Sequence, residues 1–469
     1  MKLLIGAPDR RIAERRYVLD VVMSEWLGFD YDLSLHDRSQ VSIRLADPDD
    51  TDVLWIPDLL LSSTDEDWLT ERTMPVLPLR ALAPDRSESA PAGPSRPIPV
   101  LFEETDPDAR AWREAPNGLA LTVDVFGTIF FLLSRYEEVV RTDRDDHDRF
   151  PAAASVAASA GFLDRPIADE YVDLLWAAMR RLWPHLQRRA SAFRLRLTHD
   201  VDRPWAVLGQ PASGIARSLA ADLLVRRDPG LAMRRIRSAV DAPSGGVLND
   251  PLNRFGSFMD VSERHGLRST FYFQAGGSPG DFDFRYRPSD PPIQHLIRQI
   301  HERGHDIGLH ASYVSHLSAD RTAAELAALV GACRAAGFEQ PAWGVRQHFL
   351  RFENPQTWQI HERAGLVHDS TVGFADQIGF RAGTCREFPA FDLLGRRTLR
   401  LRERPLLVMD TTLVGYMGLD LDEATSRVRA IVDECRMHGG DAVLLYHNNT
   451  LPGDAFDRHY RELVDSLLA

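Results

Sequence analysis

The sequence is poor in cysteine and has no long apolar segment. It holds three cysteines, Cys333, Cys385 and Cys435, and no two of them form a CxxC pair. This spacing gives no indication of a disulfide framework, so a reducing compartment fits. The N-terminal apolar run is shorter than the roughly 7–15 residues of a secretory signal, and no window is long and apolar enough to span a bilayer. We therefore expect a cytoplasmic protein without a membrane span.

Positive charge is also in deficit. The chain has 55 Lys and Arg residues against 68 Asp and Glu residues, which gives a formal net charge of −13. This balance argues against nucleic acid and against an anionic membrane as main partners. The hydrophobic fraction of 44% and the charged fraction of 26% are ordinary for a globular protein. The chain, at 469 residues, is long enough for two or three domains.

The stretch Arg194 to Asp202, RLRLTHDVD, is the most informative part of the sequence. Its alternation of leucines with polar residues predicts a short strand. Residues i and i+2 of a strand point to the same side, so Asp200 and Asp202 should project together, roughly 7 Å apart, with His199 facing away. Two crowded carboxylates repel each other unless a cation or a shared proton lies between them. The pair indicates a metal site, an acid–base site or both, with a turn-capping role as the alternative.

After this strand, strands and helices alternate along the chain. The later strands are predicted at 269–274, 305–312, 342–350, 366–371, 406–413 and 441–450, and the helices at 249–266, 293–304, 321–337, 354–365 and 420–440, with a last helix ending near Leu468. This alternation is typical of parallel βα units. About seven units in about 275 residues predict a (β/α) barrel, with an open doubly wound sheet as the alternative. No glycine-rich phosphate loop follows the first strand, which weakens a nucleotide-binding interpretation.

Residues 1–190 are predicted to form a smaller α/β domain that precedes the barrel at 191–469. Strands are predicted at 2–7 and 53–61, and helices at 11–27, 124–141 and 169–186. The polar run at 145–148, DDHD, is predicted to be a solvated turn, with a metal cluster as the alternative.

Polar residues recur where the predicted barrel strands end. In such a barrel the chemistry collects at the C-terminal strand ends, whereas a single buried histidine is usually a packed core residue. Several ionisable groups at successive strand ends favour a functional site. They are Asp200 and Asp202, His310, Arg346 and His348, Asp369, and His447.

These segments resemble the polysaccharide deacetylases of the NodB-homology type, carbohydrate esterase family 4. The resemblance is carried by THDVD (198–202), STFYF (269–273), RGHDIGLHASYVSH (303–316), GVRQHFL (344–350) and VLLYHNN (443–449), in the family's order, over about residues 190–469. The segments FGTIFFLLSRYEEVV and HDRFP resemble an accessory domain that precedes deacetylase domains in a bacterial subgroup. The resemblance therefore implies a distorted (β/α) barrel of NodB-homology type.

The resemblance also implies residue roles. In the family a divalent metal, usually Zn²⁺, is bound by one Asp and two His, a second Asp is the general base, and a histidine protonates the leaving amine. Such a metal acidifies water and polarises the acetyl carbonyl. Carried over by position, Asp202 and His310 are metal ligands, Asp200 is the base, and His447 is the general acid.

Three departures from the family pattern leave alternatives open. The two aspartates are adjacent in the family but are separated by Val201 here, so Asp200 and Asp202 could exchange roles. The family's second metal histidine lies four residues after the first, where this sequence has Val314. His316 is the predicted replacement, with water, Ser315 or His348 as alternatives. The Arg-x-Pro-Tyr motif of the family is replaced by RQHF, in which Arg346 could still orient the base.

The leading interpretation is a metal-dependent hydrolase that removes N-acetyl groups from a sugar or a polysaccharide precursor. The expected partner is a carbohydrate or another N-acetylated small molecule. One alternative is a catalytically silent carbohydrate-binding protein that kept the barrel but lost a metal histidine. Another is a related C–N hydrolase acting on a non-sugar amide. The sequence does not indicate an oligomeric state.

Overall fold

The computed structural model describes residues 2–83, 96–104, 110–207, 210–241, 247, 249–277, 282–283, 286–450 and 454–468. It is a mixed α/β protein in which the longer strands form two separate sheets, one of six strands and one of nine. Among the described residues, no helix combines the length and apolarity that crossing a bilayer would require.

The six-stranded sheet belongs to the N-terminal region and runs in the order β2-β1-β3-β4-β8-β7. The elements up to residue 182 are β1 (Lys2–Pro8), α1 (Ile12–Leu19, continued by π-helical turns over Asp20–Trp26), β2 (Asp30–His36), β3 (Gln40–Leu45), β4 (Val53–Pro57), β5 (Ala81–Leu82), β6 (Ile98–Pro99), β7 (Trp112–Ala115), β8 (Gly118–Leu121), α2 (Val125–Leu133), α3 (Tyr136–Val140), α4 (Val156–Ser159) and α5 (Ile167–Leu182). The sheet mixes parallel and antiparallel pairs, so it is not built from βα repeats alone.

The predicted single helix at 124–141 is wrong, because it is two helices. Asp124 begins α2 by accepting a hydrogen bond from the Gly127 amide. The chain then turns at Arg135, whose φ of 52° is left-handed and interrupts the helix. The side-chain amide of Asn354 donates to the carbonyl oxygens of Ser134 and Arg135, so the break is satisfied by a residue of the barrel.

The nine-stranded sheet belongs to the C-terminal region and has the order β14-β15-β13-β12-β11-β10-β9-β17-β16. The elements after residue 190 are β9 (Arg194–Val201), α6 (Ala212–Leu224), α7 (Pro229–Asp241), α8 (Phe255–Arg264), β10 (Thr270–Gln274), α9 (Pro291–Glu302), β11 (Asp306–Ala311), α10 (Ala319–Ala335), β12 (Gly344–Gln347), α11 (Gln356–Arg363), β13 (His368–Asp369), β14 (Phe388–Asp392), β15 (Arg397–Glu403), β16 (Val408–Met409), α12 (Leu421–Met437), β17 (Asp441–Leu445) and α13 (Asp454–Leu468). All neighbouring strands are parallel except the hairpin β14–β15.

This sheet curls until its two sides meet. The segment from β15 to β16 follows β13 on one side, where the Leu406 amide donates to the Val372 carbonyl at 3.0 Å. It then reaches β17 on the other side, where the Leu407 amide donates to the Val443 carbonyl at 3.2 Å. One extended segment thus bonds both to the chain just after β13 and to β17. The predicted distorted (β/α) barrel, preceded by a smaller α/β region, is confirmed. The open doubly wound alternative is not the fold.

Candidate active site

The aspartate pair lies at the end of β9 as the strand pattern predicts. Asp200 is buried within the strand, and Asp202 follows directly after it. Both carboxylates face His310, whose Nε2 is 3.7 Å from an Asp200 oxygen and 3.0 Å from an Asp202 oxygen. His199 points to the other face of the strand, where its ring stacks on Phe258 with centroids 4.2 Å apart. The predicted division of the strand into two faces is therefore confirmed.

Three histidines from three strand ends surround the carboxylate of Asp202. His310 ends β11, His348 follows β12, and His447 follows β17. The Nε2 atoms of His310 and His348 lie 3.0 Å and 3.5 Å from Asp202 Oδ1. The Nε2 atom of His447 lies 3.7 Å from Asp202 Oδ2. Every one of these rings therefore presents Nε2 to the same carboxylate.

The Nδ1 atom of each ring is held from behind by an oxygen. His310 Nδ1 donates to the Arg346 carbonyl at 2.9 Å. His348 Nδ1 lies 2.7 Å from Asp283, and His447 Nδ1 lies 2.6 Å from Asp410. A fixed donor at Nδ1 sets the ring orientation and leaves the lone pair of the neutral ring on Nε2, which is how metal-binding histidines are prepared in proteins.

The charges of the site shift three pKa values. Burial would raise the pKa of Asp202, but His348 and His310 lower it below its usual range. Burial opposes the charged form of His310, yet Asp200 and Asp202 raise its pKa. For His447, burial is outweighed by Asp410, which raises the pKa to about 9. This shift favours the protonated form of His447.

Arg346 orients Asp200. The guanidinium is completely buried and lies over the Tyr272 ring, 4.6 Å from its centroid. Its Nη1 donates to Asp200 at 3.0 Å and to the Thr198 hydroxyl at 2.9 Å, while its other nitrogens donate to Ser370. Arg346 thus fixes one oxygen of Asp200, and the second oxygen faces His310.

The donor set fits a divalent metal. Asp202, His310 and His348 offer ligand atoms that all lie within 4.8 Å of one another. One carboxylate oxygen and two imidazole nitrogens form a set that Zn²⁺ accepts at catalytic sites, where a further position stays open. A second group of potential ligands, Glu170, Glu434 and His438, lies elsewhere in the protein. Its two carboxylates are bound by Arg96, which takes the place a cation would have.

The structure does not bring His316 to this cluster. His316 lies in a short 3₁₀ turn, Ser315–Leu317, where its carbonyl accepts a hydrogen bond from Thr357. Burial and the charge of Arg351 lower the pKa of His316 to about 4. The geometry therefore does not group His316 with Asp202 and His310, and His348, one of the alternatives, lies beside them instead. Ser315 is likewise turned away, donating to the Ser312 carbonyl.

Sequence reasoning missed the acids behind the histidines. Asp410 follows β16, at a strand end like the other site residues, so the strand-end pattern could have identified it. Asp283 lies in an irregular segment with no such signal. Asp369, by contrast, ends a strand but is bound by His361 and Thr371 within the core, so its position does not make it part of the site.

The site opens into a pocket of about 250 Å³. Its lining includes Asp200, Asp202 and the three histidines, together with the apolar side chains of Leu350 and Met409. The N-terminal region also contributes to the lining through Arg149. Arg149 donates to the Phe349 carbonyl and to the Tyr416 hydroxyl, each at 3.2 Å. The pocket is therefore formed by both halves of the chain.

Comparison with known proteins gives one family match in the N-terminal region. Residues 3–184 match DUF7033, a family of unknown function. No curated protein gives a significant match.

Several solved structures are similar to about 60% of the chain. A proposed polysaccharide deacetylase from Mycobacterium smegmatis has 18% identity and a TM-score of 0.38, and the match covers 60% of this chain and 85% of that one. A proposed polysaccharide deacetylase from Pseudomonas aeruginosa PAO1 has 12% identity and a TM-score of 0.35, and the match covers 59% of this chain and 84% of that one. A CE4-family pseudoenzyme from Bacillus anthracis has 11% identity and a TM-score of 0.28, and the match covers 59% of this chain and 66% of that one.

Proposed function

We propose that this protein is a metal-dependent hydrolase that removes N-acetyl groups from a sugar or a polysaccharide precursor. The observation that carries the proposal is the convergence of three chemical units in one pocket. They are the potential metal ligands Asp202, His310 and His348, the Arg346-bound Asp200, and the Asp410-bound His447. The sequence resemblance to the deacetylases supports the same reaction.

Each unit has a role in amide hydrolysis. A divalent ion, most simply Zn²⁺, held by Asp202, His310 and His348 would supply a Lewis acid that polarises the carbonyl and acidifies water. Asp200 accepts the proton of the attacking water at the oxygen that Arg346 leaves free. Water adds to the carbonyl carbon, the C–N bond breaks, and His447 gives its proton to the departing nitrogen. The products are acetate and a free amine.

The geometry favours Asp202 over Asp200 as the ligand. Asp202 has the Nε2 atoms of His310 and His348 within 3.5 Å of one oxygen, whereas one Asp200 oxygen is engaged by a guanidinium. The silent-protein alternative was based on a lost metal histidine. His348 offers a second imidazole, which weakens that ground for silence.

We further propose small N-acetylated precursors as substrates, because the pocket of about 250 Å³ is small beside typical sites of roughly 300–1,000 Å³. The test combines metal analysis with acetate release from a panel of N-acetylated sugars and non-sugar amides. We expect about one equivalent of Zn²⁺ per chain and acetate release from a sugar. Metal binding with release only from non-sugar amides would move the protein to the broader C–N hydrolases. Absence of both metal and acetate release would refute the proposed hydrolase.

A further inference from the structure

A second cavity, of about 740 Å³, lies at the opposite end of the barrel. Its lining includes Arg194 and Arg196 at the start of β9 and Asp441 at the start of β17, whereas the candidate active site lies where these strands end. The strand between the two ends spans roughly 20 Å. Glu25 and Trp26 of the N-terminal region close the cavity on one side.

The lining is rich in arginine although the whole chain is acidic. Six guanidinium groups line the cavity, from Arg189, Arg194, Arg196, Arg386, Arg402 and Arg404, against the carboxylates of Glu25, Glu387 and Asp441. A further carboxylate, Asp169, binds Arg386 from outside the lining. The lining arginines therefore outnumber these four carboxylates by two, in a protein whose formal net charge is −13.

Two of these arginines are bound through Nε alone. Arg196 binds Asp441 through Nε at 2.6 Å, and Arg404 binds Glu387 through Nε at 2.5 Å. Within the described part of the chain, the terminal nitrogens of both side chains have no hydrogen-bond partner. Both side chains are partly exposed, at 28% and 27%. Each carboxylate thus fixes its guanidinium group through Nε and leaves the two terminal NH₂ groups available to donate hydrogen bonds.

The positive field of this cluster reaches a neighbouring histidine. Burial, and next the charge of Arg404, lower the pKa of His368 to about 3. This shift favours the neutral form of His368, so the positive charges of the cluster are those of the arginines. A guanidinium with two free terminal amines forms paired, charge-assisted hydrogen bonds to phosphate oxygens.

We propose that this cavity binds a phosphorylated small molecule, whose phosphate is held by Arg196 and Arg404. The excess of arginine in the lining favours an anion, and the volume leaves room for an organic group beside it. The site is separate from the pocket of the proposed hydrolase, so it does not depend on that function.

The test is isothermal titration of the full-length protein with inorganic pyrophosphate and with inorganic phosphate at constant ionic strength. We expect saturable binding of pyrophosphate, weakened about tenfold or more by Arg196→Gln and by Arg404→Gln, because each removes charge-assisted hydrogen bonds. Arg334→Gln is the matched control, since Arg334 forms an exposed pair with Glu339 away from the cavity. Its binding should equal that of the wild type.

Phosphate could also reach a metal at the other site, so the titration is repeated in the Asp202→Ala protein. We expect binding to persist there. Loss of binding in Asp202→Ala, equal weakening in Arg334→Gln, or no binding at millimolar pyrophosphate would each overturn the proposal. If a glutamine variant fails to fold by circular dichroism, Arg196→Lys and Arg404→Lys replace it. The lysine side chains keep the charge that pairs with the carboxylate but lack the two planar NH₂ groups of the guanidinium, so weaker pyrophosphate binding is still expected.

Discussion

At the scale of single residues, the metal set depends on which histidine completes it. The two candidates are His348 and His316, and only His348 has its Nε2 atom near Asp202. We predict that His348→Ala loses tight Zn²⁺ binding, as should Asp202→Ala and His310→Ala. His316→Ala is the matched control and should keep the wild-type stoichiometry, because its ring lies outside the cluster. Metal analysis after dialysis measures the Zn²⁺ stoichiometry of each variant.

The reverse result would restore the sequence-based assignment of His316. That assignment followed the order of residues along one segment. The structure uses proximity between neighbouring parallel strands instead, since β11 and β12 pair side by side with His310 opposite Arg346. Sequence spacing after His310 could not show this, although the polar strand ends could show that His348 was a candidate.

A second residue-scale prediction concerns proton transfer. His447→Ala should lower the rate of deacetylation by roughly 10²–10⁴, the usual contribution of general acid catalysis, while the Zn²⁺ content stays at the wild-type value. Asp410→Asn should also lower the rate, because Asp410 accepts from Nδ1 and its charge raises the pKa of the ring. Steady-state kinetics on an identified substrate measures the change. Wild-type activity in His447→Ala would exclude it as the acid.

At the scale of elements, the sequence predicted the βα units better than the connections between them. Helices such as α10 and α12 and strands such as β9 and β10 were predicted to within a few residues, because their apolar periodicity matches their burial. The predicted strand at 406–413 is strand only at Val408–Met409, and the chain then enters a π-helical turn. The hairpin β14–β15 was missed altogether.

The break at Arg135 illustrates what sequence pattern alone does not contain. The apolar pattern of the sequence continues through Arg135 and predicts a single helix. In the structure, the carbonyls at the break accept hydrogen bonds from Asn354, more than 200 residues away. Long-range partners of this kind cannot be read from local periodicity. The same holds for the acids behind the active-site histidines.

The segment around residues 144–152 gives an element-scale prediction. The sequence indicated a solvated turn, but the His147 ring packs on Phe349, with centroids 4.6 Å apart, and Arg149 reaches the pocket. We predict that Arg149→Ala raises KM for the substrate by about tenfold through loss of a charged contact, with kcat and Zn²⁺ content little changed.

Arg144→Ala is the matched control for this prediction. Arg144 lies in the same segment but pairs with Glu353 outside the pocket, so its KM should stay near the wild-type value. Equal effects of the two substitutions would mean that Arg149 only stabilises the segment. A raised KM in Arg149→Ala alone would make the N-terminal region part of the substrate site.

At the scale of the whole molecule, the two regions share one core. Buried apolar side chains form a continuous cluster from Leu3 in the N-terminal sheet to Leu467 in the last helix. Tyr17 packs against Phe391 across the two regions and donates to the Pro389 carbonyl. The division into domains at residues 1–190 and 191–469 stays a prediction. These contacts lead us to expect a single unfolding transition for the full chain.

The last prediction concerns the buried ion cluster that links the two regions. Glu138 of the N-terminal region accepts hydrogen bonds from Arg381 of the barrel region at 2.7 and 2.8 Å, and from Arg135 at 2.9 Å. Burial would raise the pKa of Glu138, but Arg381 and Arg135 lower it to about 2 from its ordinary value of 4.5. Because the folded pKa is depressed, this stabilisation is present above about pH 4.5 and is lost as the pH falls towards 2.

Glu138→Gln should therefore reduce the free energy of unfolding at pH 7 by about 3 kcal/mol, at about 1.36 kcal/mol for each unit of pKa difference. The difference from the wild type should shrink between pH 4.5 and 2, because protonation then removes the same charge from Glu138. Urea unfolding at several pH values measures it, with Glu339→Gln, which alters an exposed ion pair, as the control. A difference that does not change with pH would mean that Glu138 contributes packing and hydrogen bonds, and that its charge does not hold the two regions together.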